Sequence, residues 1–139
     1  MTGQQTNPLI FLVDDDPINN MINQKLLARV QPNWGTTAFL TAREALDTIG
    51  QRLAPTTEAL PGIILLDINM PVMNGWDFLQ EYREFPTDFR ETCQVFILSS
   101  SLDKQDISRA REYKEVRDYL TKPLREATLR KILDFNPQN

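Results

Sequence analysis

Short apolar runs alternate along this chain with longer stretches in which apolar positions recur every three or four residues. "LIFLV" (9–13) contains no polar residue, the pattern of a strand covered on both faces. Asp16–Pro17 then supplies an N-cap acid with proline at the first helical position, which predicts a helix start. Ile18, Ile22, Leu26 and Val30 recur every four residues and predict that helix's apolar stripe, and Gln31–Pro32 ends it. "TTAFL" (36–40) predicts a shorter strand nearer an edge. Thr41 followed by Glu44 predicts a capping box, ahead of a buried face of Ala42, Ala45, Leu46, Ile49 and Leu53.

After a loop at 54–62, "IILL" (63–66) is the next unbroken run, and it stops at Asp67. A helix starting near Asn74–Gly75 carries Phe78, Leu79, Tyr82 and Phe85 at helical spacing. "PTDFRETC" (86–93) reads as a polar connection to a strand, "QVFIL" (94–98). Asp103 to Tyr113 predicts a helix with a thin apolar face (Ile107, Ala110), "VRDYLT" (116–121) a fifth strand, and Leu124 to Phe135 a fifth helix. Five strand–helix units predict one α/β domain over 9–135, between tails 1–8 and 136–139, with helices on both faces of a parallel sheet.

Ligands of open parallel sheets bind outside the carboxyl ends of the strands. The residues that follow the apolar runs here are Asp14, Asp15 and Asp16, then Asp67, then Ser99, Ser100 and Ser101, then Lys122–Pro123. The topology brings them to one edge. Carboxylates gathered there repel by about 4 kcal/mol per pair at about 4 Å and an effective dielectric near 20. A hard divalent cation such as Mg²⁺ relieves that repulsion using one or two carboxylates. A hydroxyl and an ammonium in the same place suit the oxygens of a phosphoryl group. This chemistry predicts a Mg²⁺ and phosphate site.

Composition narrows the field. The chain has no histidine, which excludes serine–histidine and cysteine–histidine triads and histidine-ligated metal. Cys93 is the single cysteine, so there is no internal disulfide, and it reads as a buried residue beside strand 94–98. A net charge of −4 argues against nucleic acid or an anionic membrane as partner. No apolar stretch approaches the ~20 residues of a membrane span. The start, "MTGQQTNP", lacks the features of a signal peptide, and a cytoplasmic location is expected.

Four segments, "VDDDPIN" (13–19), "LLDINMPVMNG" (65–75), "FILSS" (96–100) and "YLTKPL" (119–124), stand in an order and spacing that resembles the receiver domains of two-component response regulators. The resemblance runs from about Leu9 to Leu133. It implies a flavodoxin-like, doubly wound five-stranded parallel sheet of order 2-1-3-4-5, flanked by five helices. It implies Asp67 as phosphoacceptor, and Asp14 and Asp15 as the acidic pair that binds Mg²⁺ with Asp67 and the backbone carbonyl of Asn69. Ser99, the backbone N–H of Ser100 and the ammonium of Lys122 would contact the phosphoryl group. Ser99 and Tyr119 would form the switch, Lys122–Pro123 would be cis, and Pro71 and Gly75 would shape the turn after the acceptor strand.

The function so implied is a phosphorylation switch that catalyses only its own phosphorylation and dephosphorylation. Without histidine the chain needs an outside donor, a histidine kinase or histidine phosphotransfer protein. With no output domain after Asn139, the expected output is contact with a downstream protein, made by a monomer or weak dimer. Two features depart from the family pattern: Ser99 stands where threonine is commoner, and neither Asn69 nor Ser101 is an acid or base. A phosphatase of the haloacid-dehalogenase type is the alternative, but it needs an acid where Asn69 stands and a nucleophile after the first strand. A flavodoxin-like cofactor binder needs a phosphate loop after strand one, and a degenerate receiver would lack a key position. Asn19 and Asn20 are expected to be solvated helix residues, and Trp76 to be partly exposed packing.

Overall fold

The computed structural model describes residues 8–54 and 58–134. Its strands are β1 (Leu9–Val13), β2 (Gly35–Phe39), β3 (Ile63–Leu66), β4 (Gln94–Ser99) and β5 (Val116–Thr121). Its helices are α1 (Pro17–Val30), α2 (Ala42–Leu53), α3 (Gly75–Tyr82), α4 (Thr87–Thr92), α5 (Lys104–Ala110) and α6 (Glu126–Asp134). All pairings are parallel and the order is β2-β1-β3-β4-β5, so the second strand is an edge as expected, although with 5 residues it is as long as β1 and longer than β3. Residues 55–57 of the predicted loop, Phe135, and all of the predicted tails except Pro8 lie outside the described residues.

Because side chains alternate along a strand, each apolar run feeds two cores. Phe11, Val13, Ile64, Leu66, Val95 and Ile97 face a core closed by α2, α3, α4 and α5. Ile10, Leu12, Ile63, Leu65, Phe96 and Leu98 face a second core closed by Leu27 of α1 and by Leu129 and Ile132 of α6. Among the described residues no helix is long and apolar enough to cross a membrane.

Several expectations are corrected. Only the second half of the predicted stripe of α1 meets the core: Leu26 and Val30 are half-buried against it, whereas Ile18 and Ile22 are exposed, and the fully buried positions are Asn20, Asn23 and Leu27. The polar connection 86–93 contains a sixth helix, α4, anchored by buried Phe89 against Tyr82 and Phe85. Arg90 fixes this helix by donating to the carbonyl oxygen of Phe85 (2.9 Å) and pairing with Glu115 (3.1 Å). The helix predicted at 103–113 is shorter at both ends as α5, the one predicted at 124–135 starts only at Glu126 as α6, and Phe85 lies beyond the end of α3. Cys93 is buried beside β4 as read, and burial pushes its thiol up to about 12.

Candidate functional site

Register assembles the site. Val13 pairs with Leu66 and Leu66 with Ile97, so β1, β3 and β4 end at nearly one level. The next residues, Asp14 and Asp67, therefore leave adjacent strands side by side, and the Asp67 N–H donates to the Val13 carbonyl oxygen at 2.9 Å. Ser99 pairs with Thr121, which places Lys122 just past the end of β5, its N–H on the Ser99 carbonyl oxygen at 2.8 Å. The Lys122–Pro123 bond is cis.

One carboxylate oxygen each from Asp14, Asp15 and Asp67 lie within 4.8 Å of one another. Asp14 and Asp67 are buried, while Asp15 is exposed at the rim. Lys122 Nζ donates to Asp14 Oδ2 at 2.8 Å and reaches Asp67 Oδ2 at 3.4 Å. Burial raises the Asp67 carboxyl above its usual range and the neighbouring Asp14 adds to this, while the Asn69 N–H and Lys122 partly offset it. For Lys122, burial acts to lower the ammonium, but its hydrogen bond to Asp14 and the charge of Asp67 leave it raised on balance. The lysine therefore stays charged. Three oxygen ligands clustered this closely, with one open to solvent, fit a hard divalent cation that keeps part of its water shell.

The turns are held by the acids themselves. Asp14 Oδ1 accepts from the Asp16 N–H (2.9 Å), and Asp16 caps α1 through the Ile18 N–H (2.9 Å). Asp67 Oδ1 accepts from the Asn69 N–H at 3.1 Å. Asn74 and Asp77 form a capping box at the start of α3. Gly75 is there because the helix meets β3 closely: a Cβ would lie 2.7 Å from Ile68 Cα and 3.0 Å from the Asp67 carbonyl oxygen. Between them Val72, fully exposed at φ 68°, is the centre of a positive-φ γ-turn closed by the Met73 N–H on the Pro71 carbonyl oxygen (2.7 Å).

Ser99 is fully buried, and its Oγ accepts from the Ser101 N–H at 3.0 Å. Ser100 and Asn69 are exposed at the same edge. Tyr119 is half-buried, with its hydroxyl on the Ser101 carbonyl oxygen at 2.9 Å. The exposed large apolar residues among the described ones (Ile18, Met21, Ile22, Leu40, Val72 and Leu102) all follow the carboxyl end of a strand.

Two expectations about single residues fail. Trp76 is buried, stacked on Tyr113 with centroids 5.8 Å apart and covered by Arg109 at 4.6 Å. Asn20 is buried too, and its Nδ2 donates to the Asp14 carbonyl oxygen at 3.0 Å. The spacing Asn20, Asn23, Leu27 is the signal that could have found it, since those positions share a helix face.

A family model described as the response regulator receiver domain matches residues 10–134. The probable C4-dicarboxylate response regulator DctR of Bacillus subtilis is 29% identical over 125 residues, covering 90% of this chain and 50% of that protein. A solved structure of a two-component response regulator from Cytophaga hutchinsonii superposes with a TM-score of 0.81 at 27% identity, covering 91% of this chain and 93% of that one. The phosphorylated cyanobacterial phytochrome response regulator RcpA superposes with a TM-score of 0.73 at 28% identity, covering 92% and 89%. The chain spans about half the length of the curated relatives it matches.

Proposed function

The chain belongs to the response regulator receiver domain family of two-component signalling, and from that premise we propose that Asp67 accepts a phosphoryl group from a phosphohistidine donor in a Mg²⁺-dependent reaction. The observation that carries this reading is the meeting of Asp14, Asp15 and Asp67 oxygens within 4.8 Å, with Lys122 bonded to two of those acids. RcpA, similar in fold, has been solved phosphorylated.

Phosphoryl transfer through a loose transition state asks a protein for positioning and charge stabilisation. An Asp67 oxygen attacks phosphorus in line with the P–N bond, which breaks as the new P–O bond forms. The imidazole leaves with the electron pair. Lys122, the hydroxyl of Ser99 and the N–H of Ser100 face the phosphoryl oxygens. Asp14, Asp15, Asp67 and the Asn69 carbonyl would hold Mg²⁺, which would supply the remaining positive charge. Hydrolysis of the aspartyl phosphate by an in-line water, flanked by Asn69 and Ser101, resets the switch.

With no histidine of its own, the chain takes its phosphate from a histidine kinase or histidine phosphotransfer protein in the cytoplasm. Exposed apolar residues that follow the strands bearing the site, Ile18, Met21 and Ile22 after β1, Val72 after β3 and Leu102 after β4, would offer a protein donor an apolar rim. Output is a population shift at Ser99 and Tyr119, read by a downstream protein on the face of α5, β5 and α6.

The test is transfer from a phosphorylated histidine phosphotransfer protein. Label should move to this chain with Mg²⁺ and stop with EDTA or in Asp15→Asn. Transfer that ignores both contradicts the metal assignment.

A further inference from the structure

Beneath the acids, between β1, β3 and α1, lies a cavity of about 10 Å³ whose polar lining is Asp14, Asn20, Asn23 and Asp67, with Leu65 and Leu98 as apolar wall. That is close to the smallest space that holds one water. Asn20 is 3% exposed, and its Oδ1 is buried without a hydrogen-bond partner among the described residues. Turning the amide over does not help, because Oδ1 would then face the Asp14 carbonyl oxygen, an acceptor against an acceptor. An amide oxygen buried without a donor is costly, and Asn20 lines a space of the right size.

We propose that Asn20 and Asn23 hold one ordered water against the floor of the acid cluster, and that they are positioning residues for the phosphoacceptor site. The inference rests on the reading of Asp67 given above and adds a part to that site. The hydrogen-bond inventory closes. The water donates one O–H to Asn20 Oδ1 and the other to a carboxylate oxygen of Asp14 or Asp67, and accepts from the Asn23 amide. Asn20 thereby holds the β1–α1 turn twice, through the Asp14 carbonyl directly and through the water beneath the carboxylates. This accounts for the composition of α1. Two of its three buried positions are asparagines while Ile18 and Ile22 face solvent, an arrangement that hydrophobic burial alone would reverse.

Two measurements decide it. A high-resolution crystal structure of the wild-type chain should show one water within hydrogen-bonding distance of Asn20 Oδ1, Asn23 and an acid. A dry cavity, or Oδ1 bonded to a protein donor, overturns the proposal. This result stands whether or not Asp67 takes phosphate. Failure of the phosphoacceptor reading would show separately, as a wild-type chain that acetyl phosphate leaves unmodified.

The second measurement is Mg²⁺ affinity, followed by Trp76 fluorescence in a Trp34→Phe background. Asn23→Leu fills the cavity and removes the water's donor, so affinity should fall by about tenfold, the lower end of the cost of losing outer hydrogen bonds at a metal site. Its melting temperature should hold or rise, because an apolar side chain replaces a polar one at a buried position. Lowered stability with unchanged Mg²⁺ affinity would mark Asn23 as structural only and overturn the positioning role. Asn23→Ala, which leaves room for water, should lose less affinity than Asn23→Leu, and equal losses would contradict the water.

Discussion

The hydroxyl of Tyr119 donates to the carbonyl oxygen of Ser101 at 2.9 Å, while the N–H of the same Ser101 donates to Ser99 Oγ at 3.0 Å. Ser101 is thus held on both sides of its backbone, and its own hydroxyl donates to Asp106 Oδ2 in the first turn of α5 at 2.9 Å. A Ser99 hydroxyl drawn toward a phosphoryl group on Asp67 would release the Ser101 N–H, so the site and the start of α5 share one small network.

Tyr119→Phe removes one bond of that network. We expect a loss of about 1 kcal/mol of local stability, seen as roughly fivefold faster amide exchange over residues 101–107, with no change at the far edge of the sheet. Uniform exchange would disconnect Tyr119 from the loop.

Gly75→Ala places a methyl carbon against Ile68 and the Asp67 carbonyl oxygen. With backbone on one side and a buried side chain on the other, relief requires α3 to shift. Urea unfolding should show a loss of about 1–3 kcal/mol. A neutral result would mean that α3 docks more loosely than its capping box suggests.

Val72→Gly should have the opposite sign. A β-branched residue at positive φ is strained, and glycine removes that strain at the cost of a freer unfolded chain. A net gain of about 0.5–1 kcal/mol is expected. If Val72 serves the donor rim, transfer from a phosphohistidine protein should slow while phosphorylation by acetyl phosphate stays unchanged.

Much of this architecture is legible in the sequence because apolar runs of four or five residues, too short for helices, fit strands buried on both faces, and each ends at a polar residue of the site. The acids, Lys122 and the edge position of β2 follow from that pattern with the family resemblance. The face of α1 was legible only in its second half. Leu26 and Val30 of the four-residue apolar recurrence pack against the core, but Ile18 and Ile22 point at solvent, because asparagines beneath the acids take the buried positions of the first turns. Nor was α4, whose six residues carry one buried side chain and owe their place to Arg90 and Glu115. Trp76 of α3 is hidden by Arg109 of α5 and by Tyr113 just past its end, partners that no local pattern announces.

Asp67→Asn should stabilise the metal-free chain in EDTA at neutral pH by about 1 kcal/mol, or roughly 3–5 °C, by removing one like charge from the cluster. The pH dependence has a definite sign. Burial raises the Asp67 carboxyl, so its contribution to folding is full below the ordinary carboxylate range and is lost as pH climbs through the raised value. The gap between variant and wild type should therefore open on going from acid to neutral pH. A gap that closes instead would mean that the Lys122 contact outweighs burial and repulsion.

The central claim is tested most directly by intact mass after incubation with Mg²⁺ and acetyl phosphate. The wild-type chain should gain the mass of one phosphoryl group, and Asp67→Asn should gain none. An adduct that persists in Asp67→Asn, or a wild-type chain that stays unmodified under those conditions, would contradict the assignment of Asp67 as the acceptor.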